Sequence, residues 1–227
     1  MTTGTLATSQ LWNIIILGRP LHLIGGGLFY LLGVIIARYL GFPIDWNLAI
    51  IGLVTVWAIQ LMTHYSNEYF DLEADRANTT PTNWSGGSRV LVNTDLPPVL
   101  ALYIALGFAL LAAVGIVVLV VQSAAPVQTA LILLLALTLA WSYSSPPLLL
   151  NQRALGELTG AVLIPGLTAL VGFQLQANTL TTLPFLAIVP LCCFQFAMLL
   201  AVNFPDATSD RGVGKMTLVV LLGARRA

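Results

Sequence analysis

An all-α, polytopic membrane helix bundle of about six spans is the fold class this sequence predicts. Three observations carry that reading. Of the 227 residues, 58% are apolar and 8% charged, against roughly 25% charged in an ordinary soluble domain. No charged residue occurs from Leu96 to Gln152 or from Leu158 to Pro205. A bilayer core takes about 20 apolar residues per helix, so each stretch is long enough for two crossings. The runs are continuous and do not alternate, which excludes β-barrel spans. A disordered chain, a basic nucleic-acid-binding domain and an ordinary cytosolic enzyme are excluded too. Nine acids balance nine bases, so net charge specifies no partner other than the lipid bilayer.

The spans fall at roughly 20–39, 47–69, 97–121, 127–149, 157–177 and 184–204. Ahead of the first, Trp12 to Leu17 reads as a short helix lying at the interface. Gly25-Gly26-Gly27 lies inside the first span without the Lys-Ser/Thr of a phosphate loop, so it is assigned to close helix packing. Trp12, Trp46, Trp57, Trp84 and Trp141 mostly fall near predicted interfaces, where amphipathic rings settle. Cys192 and Cys193 are adjacent and without a histidine neighbour, which suits packing better than a disulfide or a metal. No signal-peptide pattern precedes the first span. Arg19, Arg76, Arg89, Arg153, Arg211 and Lys215 fall on one side, and Arg38 on the other. The positive side faces the cytoplasm, which places the N-terminus and the polar loops there, most naturally in a bacterial or archaeal cell membrane.

Two carboxylate clusters follow spans 2 and 6. In the first, Asn67, Asp71 and Asp75 are four apart, and four residues return to one helix face with a drift of about 40° and a rise of about 6 Å. Glu68 and Glu73 are expected to point elsewhere. In the second, Asp206 and Asp210 repeat the spacing, with Asn203 one turn ahead and Pro205 either starting a new helix or kinking an old one. The two segments look alike, as a weak internal repeat. Carboxylates near membrane depth are expensive and signal function. Two acidic faces opposite each other need a counter-cation, and Asp and Asn oxygens without His or Cys suit Mg²⁺, which prefers one or two carboxylates plus substrate phosphates. Arg76, Arg89, Arg211 and Lys215 supply further phosphate-binding groups. The constellation describes a lipid diphosphate held by Mg²⁺ above an apolar cavity.

These motifs resemble those of the UbiA superfamily of intramembrane prenyltransferases. Asn-x3-Asp-x3-Asp matches Asn67, Asp71 and Asp75. The second family motif is similar to Asp206, Asp210 and the run Gly214-Lys215-Met216-Thr217-Leu218. Arg19-Pro20 and the segment from Tyr143 to Glu157 also resemble the family, the latter most closely its 1,4-dihydroxy-2-naphthoate polyprenyltransferase branch in menaquinone synthesis. The resemblance covers nearly the whole chain and implies one membrane prenyltransferase domain, residues 1–227. That domain is expected to be truncated at its C-terminus, with about six of the usual nine spans present. It implies Mg²⁺-dependent transfer of a polyprenyl group from its diphosphate to an aromatic acceptor. Asn67, Asp71, Asp75, Asp206 and Asp210 are then the metal–diphosphate ligands, with Asp71 and Asp206 central to catalysis. Arg76, Arg89 and Lys215 contact the diphosphate, and Tyr143 shields the allylic cation or orients substrate.

Other acceptors fit the same motifs: 4-hydroxybenzoate, homogentisate, chlorophyllide, haem or a glycerol-phosphate ether lipid. A cation-coupled transporter and a non-catalytic isoprenoid-binding remnant are rival readings. The transporter needs polar residues along a path at mid-membrane depth, and spans 3 to 6 offer few. Gly86-Gly87-Ser88-Arg89 reads equally as a phosphate-facing loop or a plain turn. His64 reads as a hydrogen-bonded structural histidine, and His22 as an interfacial anchor. Glu157 reads as a helix-dipole partner or a partner of Arg153.

Overall fold

The computed structural model describes the backbone of residues 3–82 and 84–227, with side chains from Gln10 onward except Asn83. Helix α1 (Thr3–Leu17) and α2 (Pro20–Tyr39) are separated at Gly18-Arg19, where Arg19 adopts φ 48° and Pro20 opens α2. Proline is pre-organised for that first turn and loses no helix bond there. The short helix expected from Trp12 to Leu17 is part of this 15-residue α1, and from Gln10 onward it is continuous in apolar character with α2 as one candidate span to Tyr39. Asp45 caps α3 (Trp46–Phe70), accepting from the Asn47 and Leu48 amides at 2.9 and 3.1 Å. Then come α4 (Leu72–Ala77), α5 (Val90–Asn93), α6 (Pro98–Gln122) and α7 (Pro126–Ser144).

The fourth span ends at Ser144, short of the expected 149, because Pro146 and Pro147 cannot continue it. A 3₁₀ turn (Leu150–Gln152) leads into α8 (Gly156–Ala161), a π segment (Val162–Leu167) and α9 (Thr168–Ala177). These three run on as one span. Pro165 lies in the π segment, where the wider turn accommodates its ring and missing N–H. Helix α10 (Thr182–Asn203) is followed by α11 (Ala207–Gly212) and α12 (Leu218–Leu222), and Pro205 occupies the turn between α10 and α11. Among the described residues, six segments are long and apolar enough to cross a membrane, and the protein is an integral membrane helix bundle.

Helix α3 is the central element, packed against α2, α6, α7 and α9. Tyr30, Val56, Leu119 and Leu133 form the main cluster between them. Helices α2 and α9 approach with backbone in contact: a Cβ on Gly33 would run into the Ala169 carbonyl, and one on Gly172 into the Tyr30 carbonyl. In lipid, association rests on such close packing, because the tails are as apolar as leucine. Gly26 and Gly27 likewise admit Gln60 and Trp57 of α3. Helix α10 is the least enclosed span, with Cys193 exposed and Cys192 half-buried, both free thiols.

Candidate active site

One end of the bundle gathers the C-terminal ends of α3, α7 and α10. Asp71, where α3 stops and α4 begins, is the hub. Its carboxylate accepts from the Asn67 side-chain amide at 2.8 Å, and the Asn151 amide nitrogen donates to both of its oxygens, at 3.0 and 2.8 Å. Lys215 Nζ stands 3.1 Å from Asp71 and 3.7 Å from Asp210. One cation thus ties the first motif to the second across 144 residues. Asp206 closes the other side, accepting from the Asn78 amide at 2.8 Å and from the Gly86 backbone N–H at 3.1 Å. The loop after α3 therefore wraps the second motif. Gly86 and Gly87 both need positive φ there, and the Gly87 α-carbon lies against the Asp75 carboxylate, so neither position tolerates a Cβ.

Three expectations are corrected. Glu68 does not point away: it is 2% exposed. It accepts from Arg19 at 2.5 Å, from the Ser88 N–H at 2.9 Å and from the Ser88 hydroxyl at 2.6 Å. Arg19, held in its left-handed conformation beside α3, also donates to the Asn67 amide oxygen at 3.0 Å, and that pull brings Glu68 inward. Glu157 does not pair with Arg153, which is exposed and donates to the Pro147 carbonyl. Trp57 is not interfacial; its indole donates to the Leu23 carbonyl between α3 and α2 at 2.9 Å. Glu73 is exposed, as expected.

The diphosphate candidates separate. Lys215 lies inside the cluster. Arg89 braces it, donating to the backbone carbonyls of Asp75 and Asn78. Arg76 is exposed on α4 and forms no ion pair among the described residues. Arg211 is also exposed, donating to the Val220 carbonyl at 3.0 Å. Tyr143, half-buried, lies within electrostatic range of Lys215, Asp71 and Glu157. His64 Nδ1 sits 2.7 Å from the Gly18 carbonyl, with His22 edge-on at 5.7 Å.

Burial pushes the Asp75 carboxyl up to about 7, with Glu68 and Asp71 adding repulsion. Burial likewise pushes Asp210 up to about 6, with Asp206 and Asp71 adding to it against Lys215. Lys215 moves up: burial alone would lower it, but Asp71 and Asp210 outweigh burial. Among the described residues only Arg19 and Lys215 form ion pairs with this acidic group. An excess of buried negative charge on hard oxygen donors is the donor chemistry that fits Mg²⁺. Also among the described residues, no three acidic, imidazole or thiol side chains gather closely enough to hold a metal unaided. The fit is thus to a metal that arrives with phosphate oxygens of its own.

Asn151, Ser144 and Asn78 also belong to this site; Ser144 and Asn151 lie in the Tyr143-to-Glu157 segment that resembles the family, but nothing in the sequence singles out any of the three. Ser144 Oγ accepts from Asn67 at 2.8 Å. The loop carrying Asn151 pairs with the second motif through a parallel bridge between Arg153 and Met216. Only that pairing brings Asn151 to Asp71, 80 residues away in sequence.

A membrane helix bundle that gathers carboxylates from two helix-to-loop junctions at one end has the marks of an intramembrane enzyme. Residues 26–227 match the UbiA prenyltransferase family, and the chain belongs to it. Over 220 residues it is 26% identical to the 1,4-dihydroxy-2-naphthoate octaprenyltransferase of Bacillus subtilis (strain 168), covering 96% of this chain and 67% of that protein. Its fold is similar to solved structures of a UbiA homolog from Archaeoglobus fulgidus. The one bound to DMAPP and Mg²⁺ has a TM-score of 0.68 at 17% identity, covering 93% of this chain and 70% of that one. The one bound to GPP and Mg²⁺ has a TM-score of 0.68 at 16% identity, over 94% and 70%.

Proposed function

We propose that this prenyltransferase moves a polyprenyl group from its diphosphate to an aromatic acceptor, 1,4-dihydroxy-2-naphthoate, in menaquinone biosynthesis, with Mg²⁺ as cofactor. One observation carries the reading. Buried Asp71, Asp75 and Asp210 and half-buried Asp206 share one end of the bundle, and among the described residues Lys215 is the one cation paired to any of them, through Asp71 and Asp210. The acceptor follows the Bacillus subtilis relative's name, and Mg²⁺ with a prenyl diphosphate follows what the Archaeoglobus structures hold.

Asn67, Asp71, Asp75, Asp206 and Asp210 would hold the metal. Bound there, Mg²⁺ would neutralise charge growing on the leaving diphosphate. Lys215 stands between the two motifs and supplies a fixed positive charge to the same oxygens. Arg89 holds the Gly86-Gly87 loop against Asp75 and keeps the second side of the cradle in place. Tyr143 presents a π-face that stabilises an allylic cation without reacting as an anion. The apolar spans below exclude water that would quench that cation. Arg19, Arg89, Arg153 and Lys215 in the loops at this end support a cytoplasmic orientation for it.

Membranes containing the chain are given radiolabelled geranylgeranyl diphosphate, Mg²⁺ and 1,4-dihydroxy-2-naphthoate, with EDTA as control. The expected outcome is Mg²⁺-dependent prenylation, reduced about 100-fold or more in Asp71→Asn and in Asp206→Asn. Full activity in both variants would overturn the two-motif site.

A further inference from the structure

Asp206 opens α11 at the position where an aspartate ordinarily caps its own helix, accepting from an N–H of the first turn. It forgoes that bond. Its two oxygens reach instead to the loop behind the first motif, Oδ1 to the Asn78 amide at 2.8 Å and Oδ2 to the Gly86 N–H at 3.1 Å. Asp206 forms no ion pair among the described residues. Two uncharged donors that follow the first motif therefore set the direction of the second motif's leading carboxylate.

Asn78 is itself held at every polar atom. It is 3% exposed and ends α4, with its N–H bonded to the Ala74 carbonyl at 3.1 Å. Its Oδ1 accepts from the Thr80 N–H at 2.9 Å. Turning the amide over would lose that bond and set an oxygen against Asp206, so the nitrogen must face the carboxylate. The Asn78 carbonyl receives Arg89, which also holds the Asp75 carbonyl. A Cβ on Gly86 would stand 2.8 Å from Asn78 Nδ2, so the loop closes down on this nitrogen. Asn78 also borders a cleft of about 530 Å³ lined by Thr79, Thr80, Thr208 and Ser209. Water from that cleft can replace a shortened side chain, so the loss of the amide falls on the aim of Asp206 more than on packing.

A carboxylate oxygen that accepts one hydrogen bond keeps a lone pair for a cation. Carboxylates that bind metals are aimed by such outer partners, and losing one costs about 10–100-fold in metal affinity. We propose that Asn78 is a positioning residue of the second motif: it aims Asp206 at a divalent cation and makes that motif's hold on the metal depend on the loop behind the first. This rests on the Mg²⁺–diphosphate reading above and adds a residue that acts through Asp206 alone. The amide carries no charge, so it fixes direction without neutralising the acid.

The probe is Mn²⁺, which shares the oxygen ligands of Mg²⁺ and is followed by electron paramagnetic resonance. It is titrated into the detergent-solubilised chain loaded with the unreactive geranylgeranyl thiolodiphosphate. Asn78→Ser keeps an oxygen for the turn bond to Thr80 but falls one bond short of Asp206, and Asn78→Ala loses both contacts. Each should bind Mn²⁺ about tenfold or more weakly than wild type. Their affinity for the thiolodiphosphate in EDTA, and their thermal midpoint in EDTA, should stay near wild type. Added to Asp206→Asn, Asn78→Ser should cost little more, because the carboxylate it aims is gone. Wild-type Mn²⁺ affinity in Asn78→Ser, or its full loss repeated on top of Asp206→Asn, overturns the proposal. Mn²⁺ and metal-free thiolodiphosphate binding falling together in Asn78→Ser would assign Asn78 to the fold alone and overturn it as well. Asn78→Ser decides even if Asn78→Ala misfolds. A loaded wild-type chain that takes up no Mn²⁺ overturns the metal–diphosphate reading instead, and the proposal with it.

Discussion

Glu68 and Asp75 are seven residues apart, yet the chain treats them in opposite ways. Glu68 receives Arg19 and both donors of Ser88. Asp75 forms no ion pair among the described residues, and burial holds its carboxyl up at about 7. An unfolded aspartate titrates near 3.9, or about three units lower. The folded, metal-free chain therefore keeps a proton that the unfolded chain releases between about pH 4 and pH 7, and its stability falls as pH rises through that window. Asp210, pushed up to about 6, adds to the same slope. In EDTA the thermal midpoint should be lower at pH 8 than at pH 5, and Asp75→Asn should flatten the difference. An identical slope in that variant would place the buried charge elsewhere.

Among the elements, α2 and α9 depend on glycine for their approach. Gly33 and Gly172 face the other helix's backbone, which cannot yield as a flexible side chain can. Gly33→Ala and Gly172→Ala should each destabilise by about 1–3 kcal/mol, whereas Gly25→Ala, with open space around it, should be close to neutral. Thermal unfolding in detergent checks all three, and a neutral Gly33→Ala would mean that the two helices pack less closely. The long spans were legible because a charge-free run of that length has few other uses. Less legible were the interruptions. Helices α4, α5, α11 and α12 are too short to show a period, and the π segment reads in the sequence as ordinary helix. The first acidic motif was visible because i, i+4 spacing survives to the end of α3. Asn151 was not, since no local pattern announces a turn residue whose partner lies 80 positions back. Glu68 turns inward against its one-face expectation because the Arg19 guanidinium reaches it from the junction between α1 and α2.

On the scale of the whole molecule, six apolar segments serve to hold the ends of three helices against one another. The loop after α3 bonds to Asp206, and the segment after α11 bonds to Asp71 and to the loop after α7. Each acidic motif is thus completed by another part of the chain, and the two are expected to act together. The central claim is that this shared end forms a joint site for Mg²⁺ and a prenyl diphosphate, which neither ligand fills alone. The measurement that tests it most directly is the affinity of the purified chain for geranylgeranyl thiolodiphosphate with and without Mg²⁺, in wild type, Asp71→Asn and Asp206→Asn. Mg²⁺ should tighten binding at least about tenfold, a coupling of the usual size between linked ligands, and either substitution should remove most of that gain. Binding equally tight in EDTA, or a gain from Mg²⁺ that survives in both variants, would contradict the account.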